Sequence, residues 1–205
     1  MEAGEKLYLY PLWLRIWHGV NAVCIIVLIL SGISLHYSGR SFLLIDFRTA
    51  ITMHNLAGLL LSLNYLVFLS GNILTGNGKH YRVKVQGLAE RIRKQVIYYV
   101  YGMFKGESAP YPVTAKRKFN PLQKYAYVFV MYVVLPVLII SGVALLFPEI
   151  IFESIFRVSG IMITAILHGA MGFLVFVFLL VHLYVASLGK SPARNYKSII
   201  TGWHY

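Results

Sequence analysis

The chain has 205 residues, of which 58% are hydrophobic and only 13% charged, about half the charged share of a soluble domain of this size. Its formal charge of +12 comes from nineteen Lys and Arg against seven Asp and Glu. Eleven of the nineteen bases fall between Lys79 and Lys124, while the stretches holding Arg40, Asp46 and Arg48, and Glu149, Glu153 and Arg157, are short and nearly neutral; this asymmetry assigns the charge to membrane topology and speaks against nucleic-acid binding.

Four apolar blocks, about 12–36, 51–73, 122–147 and 160–188, each reach the roughly 20 residues a bilayer-spanning helix needs. The first is longer than the apolar core of a signal peptide and no small-x-small cleavage site follows, so a retained first helix is expected. It carries the single cysteine, Cys24, which excludes a disulfide within the chain and reads as packing; the Cys-x-x-Cys-His attachment of c-type haem is absent. Between the second and third blocks Leu88, Ile92, Val96, Tyr99 and Met103 recur at helical spacing, which predicts an amphipathic helix on the inner membrane surface, ended by a turn over Glu107–Pro112. The third helix is expected to start near Pro121, with Asn120 as its cap, and to kink at Pro136. Lys190, Arg194 and Lys197 follow the fourth block, and the positive-inside bias puts both termini and the long loop in the cytoplasm. The expected fold is all-α, an integral membrane four-helix bundle formed by a single domain over 1–205, with no internal repeats.

Seven histidines carry the functional signal. His80 and His204 lie in polar segments and are expected to be solvated. The other five sit in or beside the membrane, where ionisable side chains are costly and face the bundle interior. His168 and His182 stand fourteen residues apart, a rise of ~21 Å with a net rotation of about 40°, so one helix face offers an imidazole near each membrane surface. That spacing excludes one shared metal ion of the zinc type, whose ligands lie within about 2 Å of a single point. Depth matching pairs His18 with His182 near the inner surface and His54 with His168 near the outer one. Two imidazoles facing each other at one level across a bundle fit axial ligation of haem iron. His36 shares the His18 face but sits at the helix exit, and is the rival to His54. Gly32, Gly58, Gly142, Gly169 and Gly172 would let a flat macrocycle approach the backbone. Arg15, three residues before His18, and Arg48 are candidate partners for haem propionates, with Arg40 a further one.

With these residues the chain resembles the di-haem membrane cytochrome b subunits of formate dehydrogenase (gamma subunit), nickel-iron hydrogenase and thiosulfate reductase. The resemblance rests on Arg15-x-x-His18, on His54 early in the second helix, on His168 and His182 in the fourth, and on Lys118-Phe119-Asn120-Pro121-Leu122-Gln123 opening the third. It implies two haem b groups, with His18, His54, His168 and His182 as the iron ligands. It also implies a quinone (menaquinone or ubiquinone) near the inner haem, with Asn120, Gln123 and His182 beside it. The main catalytic centre would lie on a partner, an iron-sulfur or multihaem redox subunit on the extracytoplasmic face of a hetero-oligomeric complex in the bacterial cytoplasmic (inner) membrane. No catalytic residue is assigned to this chain. The expected function is electron transfer between that partner and the quinone pool; the alternatives are a free-standing quinol-oxidising b-type cytochrome and a haem-free transporter or assembly protein.

Overall fold

The computed structural model describes residues 6–38, 44–115, 117–155, 157–188 and 193–204; the notional propionate partner Arg40 and the basic residue Lys190 lie outside them. A two-residue strand, β1 (Leu7–Tyr8), leads into α1 (Leu12–His36) and α2 (Phe47–Leu74). A short 3-10 turn (Asn77–Tyr81) precedes α3 (Leu88–Ile97), which runs on as a π turn (Tyr98–Gly102). Then come α4 (Pro121–Phe129), a π turn (Val130–Val134), α5 (Leu135–Leu146), the hairpin β2 (Ser154–Ile155) and β3 (Val158–Ser159), α6 (Gly160–Ser187), α7 (Arg194–Thr201) and β4 (Trp203–His204). Among the described residues four stretches are long and apolar enough to cross a membrane: Leu12–His36, Phe47–Leu74, Pro121–Leu146 and Gly160–Ser187.

Local chemistry sets the ends. The second helix starts at Phe47 rather than near 51 because the Asp46 carboxylate accepts the Thr49 N–H at 3.0 Å, an N-cap bond that hydropathy does not register. At the third, the Asn120 side chain accepts the Gln123 N–H at 2.9 Å and the Gln123 side chain accepts the Asn120 N–H at 3.2 Å. This is a complete capping box, with Pro121 at the first helical position. Pro136 has no N–H to give and its ring crowds the carbonyl four residues back, at Tyr132. The helix answers with the π turn over Val130–Val134, so the expected irregularity appears just before the proline.

The chain divides into two compact units, one of Met1–Arg15, Gly71–Val133 and Leu180–Tyr205, the other of Ile16–Ser70 and Val134–Leu179. In the second, long-helix unit, Trp17 and Asn64 bond reciprocally: the indole N–H donates to the Asn64 carbonyl at 3.0 Å and the Asn64 amide to the Trp17 carbonyl at 3.2 Å. This satisfies two polar groups that hydrocarbon would otherwise leave unpaired. Trp17 packs on Phe68, ring centroids 4.8 Å apart, and Cys24, Leu61, Val134, Leu135 and Val175 of the same unit are buried. Cys24 is thus a packing residue, as expected.

In the first unit β1 pairs antiparallel with β4, Leu7 opposite His204 and Tyr8 opposite Trp203. Gly202 ends α7 with a φ of 90°, and a Cβ there would sit 2.7 Å from the Tyr8 ring and 2.8 Å from the Tyr10 carbonyl oxygen, so only glycine makes this join. The expected amphipathic helix forms, but its inward face turns by one residue. Gln95 is buried, while Val96 is exposed together with Ile97, Val100, Tyr101 and Phe104. Leu88, Ile92, Gln95 and Tyr99 follow the i, i+4, i+7, i+11 line that packs α3 and its π turn towards α4, where the Asn120 amide meets the Tyr99 hydroxyl.

Candidate functional site

Two of the four paired histidines meet within the long-helix unit. His54 on α2 and His168 on α6 face each other with ring centroids 6.2 Å apart and ring planes at 70°. Each ring is held from behind by a helix that carries no histidine at that level. Ser31 Oγ on α1 lies 3.0 Å from His54 Nδ1, and Ser141 Oγ on α5 lies 3.0 Å from His168 Nδ1. A backbone carbonyl joins each contact. Leu138 O is 3.1 Å from His168 Nδ1, and Leu28 O bonds the His54 ring. A carbonyl only accepts, so Nδ1 carries the proton on His168; on His54 the Ser31 hydroxyl, whose own proton goes to the Val27 carbonyl at 2.7 Å, accepts from Nδ1, and Nε2 keeps its lone pair on both rings.

This arrangement fits an iron held between the rings. An imidazole nitrogen binds a metal at about 2 Å, and the ring centre lies roughly 1 Å behind that nitrogen, so two axial imidazoles should have centroids about 6 Å apart. The observed 6.2 Å agrees, and both rings present the metal-binding nitrogen in the protonation state that ligation requires. Among the described residues no group of three His, Cys, Asp or Glu side chains converges on one point.

The glycines divide. A Cβ on Gly32 would lie 3.5 Å from His54 Cε1, and one on Gly142 only 3.0 Å from His168 Cε1, so both back onto the histidine rings themselves. A Cβ on Gly58 would touch Leu28 at 3.9 Å, and on Gly169 or Gly172 would meet nothing within 4 Å. His36, the rival ligand, is exposed at the exit of α1, its ring edge-on to Tyr37 at 4.8 Å. His18 belongs to the same unit as His54 and lies edge-on to Trp17 at 6.5 Å. Arg48 is exposed at the start of α2.

The other unit holds the remaining candidates. His182 Nδ1 lies 3.4 Å from the Tyr127 hydroxyl, with the two rings edge to face at 5.8 Å. Asn120 is buried, and its amide donates to the Tyr99 hydroxyl at 2.8 Å while its carbonyl is taken by the capping box. Arg15 donates to the Ile200 carbonyl of α7, and its Nε is buried with no hydrogen-bond partner among the described residues.

His80 overturns its expectation. It is 8% exposed, not solvated, and lines a cavity of about 320 Å³ with Lys79, Ala115, Arg117, Lys118 and Lys124. Burial, then the charges of Lys118, Lys79 and Lys124, pull its pKa down to about 4. Burial and Lys79 likewise lower Lys118 to about 8; its ammonium donates to Asn77 Oδ1 at 2.9 Å. His204 is half-buried in β4 rather than free in solvent, and burial lowers its pKa too.

Sequence reading missed Ser31, Ser141 and Tyr127. The first two had a signal: Leu28-Ile29-Leu30-Ser31-Gly32 and Leu138-Ile139-Ile140-Ser141-Gly142 are one motif written twice. The expectation of no internal repeats fails for this five-residue one. A serine inside an apolar helix usually bonds its own backbone, which is why the pair drew no notice.

Comparison with known proteins agrees with this geometry. The family model of prokaryotic cytochrome b561 matches residues 9–202. The Escherichia coli (strain K12) protein YdhU, which is named as a cytochrome, is 36% identical over 203 residues, covering 99% of this chain and 76% of its own length. The family binds b-type haem and works in membrane electron transport, which four apolar spans and a facing histidine pair match. The chain belongs to the prokaryotic cytochrome b561 family and is a multi-pass membrane cytochrome b.

Proposed function

We propose that the chain is the di-haem membrane subunit of an oxidoreductase complex, one membrane domain that passes electrons between an extracytoplasmic iron-sulfur or multihaem redox partner and quinone. The observation that carries this reading is the His54–His168 pair, 6.2 Å between centroids, with Ser31 and Ser141 each 3.0 Å from an Nδ1 and a backbone carbonyl bonded to each ring. The second pair, His18 and His182, rests on the helix register alone: fourteen residues from His168 return His182 to nearly the same face at the other depth. Bound haem iron supplies a one-electron carrier at each level. The residues do the rest: they fix the imidazoles, hold charge near the propionates and offer donors to a quinone.

Arg15 suits a propionate because its buried Nε has no hydrogen-bond partner among the described residues. Arg48, exposed at the start of α2, is the outer counterpart. On the quinone side, Asn120 has its amide on Tyr99 and its carbonyl on Gln123 N–H. It therefore orients two groups whose own protons the capping box does not consume, the Tyr99 hydroxyl and the Gln123 amide nitrogen. Those donors, with His182 and Tyr127 in the same unit, would meet quinone carbonyls. By the positive-inside bias the basic segment 79–124 supports a cytoplasmic position for this side of a bacterial inner membrane, where quinone takes its protons.

Haem analysis with redox titration tests the proposal. Two protohaem per chain and two separable potentials are expected. Well-folded protein with fewer than two haems would overturn the di-haem reading, and purification without any redox subunit from the native membrane would overturn the complex.

A further inference from the structure

The twice-written Leu-x-x-Ser-Gly motif does in space what it does in sequence. Its two copies lie on α1 and α5, the helices that give no histidine to the outer pair, and each copy serves a histidine on a different helix. Ser31 and Ser141 are 0% and 4% exposed, so neither hydroxyl exchanges its partners for water.

Each serine has one proton, and both spend it alike. Ser31 Oγ donates to the Val27 carbonyl at 2.7 Å, and Ser141 Oγ to the Val137 carbonyl at 2.7 Å. The contacts to Leu28 O at 3.3 Å and Leu138 O at 3.1 Å are longer. With the proton spent backwards along its own helix, each hydroxyl turns a lone pair to the histidine and accepts. The Leu138 carbonyl adds a second acceptor at His168 Nδ1, and the Leu28 carbonyl bonds the His54 ring. The adjoining Gly32 and Gly142 let the ring edge lie against the helix, with room for a Cβ only at 3.5 Å and 3.0 Å from Cε1. Serine sets the proton and glycine sets the approach.

We propose that Ser31 and Ser141 are matched positioning residues that fix the tautomer and electron-donating strength of His54 and His168, and thereby set the reduction potential of the haem between them. The inference rests on the ligation of one haem by these two histidines. An acceptor on Nδ1–H raises the basicity of the metal-bound nitrogen and stabilises the oxidised iron, so it lowers the potential. The acceptors on the two sides act in the same direction.

The test is a redox titration of purified, haem-loaded protein carrying Ser31→Ala, Ser141→Ala, both together, and the two Ser→Thr replacements, with electron paramagnetic resonance of the low-spin haems and haem stoichiometry. Each alanine is expected to raise the outer potential. The double variant is expected to shift the reduction equilibrium roughly tenfold, 59 mV for a one-electron couple, with the inner haem unmoved. Threonine, which keeps the hydroxyl, returns the wild-type value. Loss of the outer haem in the alanine variants with recovery in the threonine ones supports the same role. An unshifted outer potential in the fully loaded double variant overturns it, as does haem loss in alanine and threonine variants alike. His54→Ala separates the two levels of the argument: if it leaves the haem content of the protein unchanged, the ligation itself is wrong, whatever the serines do.

Discussion

Gly32→Ala and Gly142→Ala look equivalent in sequence and should behave differently. A Cβ at position 142 would stand 3.0 Å from His168 Cε1 and 3.5 Å from Nδ1, whereas at position 32 the distances to His54 are 3.5 Å and 3.8 Å. Carbon contacts relax at about 3.5–4.0 Å, so His168 must retreat by about 0.5 Å and His54 hardly at all. That retreat stretches the His168 Nδ1 contacts to Ser141 and Leu138, now 3.0 Å and 3.1 Å, towards the edge of hydrogen-bonding range. Each weakened bond costs about 1 kcal/mol. Alanine gains about 1 kcal/mol over glycine in a helix, equally in both variants, so this cancels in the comparison. The difference left is about 2 kcal/mol, roughly 30-fold in affinity for the outer haem. Transfer of haem from each variant to an excess of an apo-acceptor, followed optically, measures it. Gly142→Ala should release the outer haem much faster, with Gly32→Ala close to wild type. Equal release, or the reverse order, would refute the assignment of ring position to these backbone contacts.

Three further outcomes are expected. His182→Ala should abolish the inner haem signal and quinone reduction while sparing the outer spectrum; loss of only the outer signal would reverse the pairing, as read by redox titration. Asn120→Ala removes the cap and should cost about 1 kcal/mol of stability, while Asn120→Asp keeps the acceptor for Gln123 N–H and loses the amide donor to Tyr99. Thermal melts should therefore separate the two variants, and quinone turnover should fall in both. For His80, burial and three neighbouring lysines lower the folded value to about 4, beneath the ordinary ~6.5 of an unfolded histidine. The folded state binds fewer protons between those values, so stability present above about pH 6.5 is lost as pH falls towards 4. The midpoint of thermal unfolding should drop less between pH 7 and pH 4.5 in His80→Gln than in the wild type, and an unchanged slope would count against the burial of a neutral ring.

The spans were legible because hydrocarbon thickness acts on any apolar run of sufficient length, whatever its neighbours. Expected limits of 12–36, 122–147 and 160–188 fall within a residue of the observed helices, and only α2 moved, by the Asp46–Thr49 cap. The Asn120 cap was legible because its bonds close within four residues. The His54–His168 level could be matched from helix register, since rise and rotation per residue are fixed along one helix.

What the sequence alone did not decide is which groups stand across from one another. Ser31 looks like a serine bonded to its own helix, and it is; its remaining lone pair acquires a role only when α2 brings His54 to that height and rotation. Gln95 in place of Val96 on the inner face of α3, and His80 buried among lysines instead of solvated, have the same origin. Hydropathy and helical period are properties of one segment, whereas hydrogen bonds between segments, and the desolvation that comes with burial, depend on how neighbouring elements are rotated and packed, and that is settled only in three dimensions.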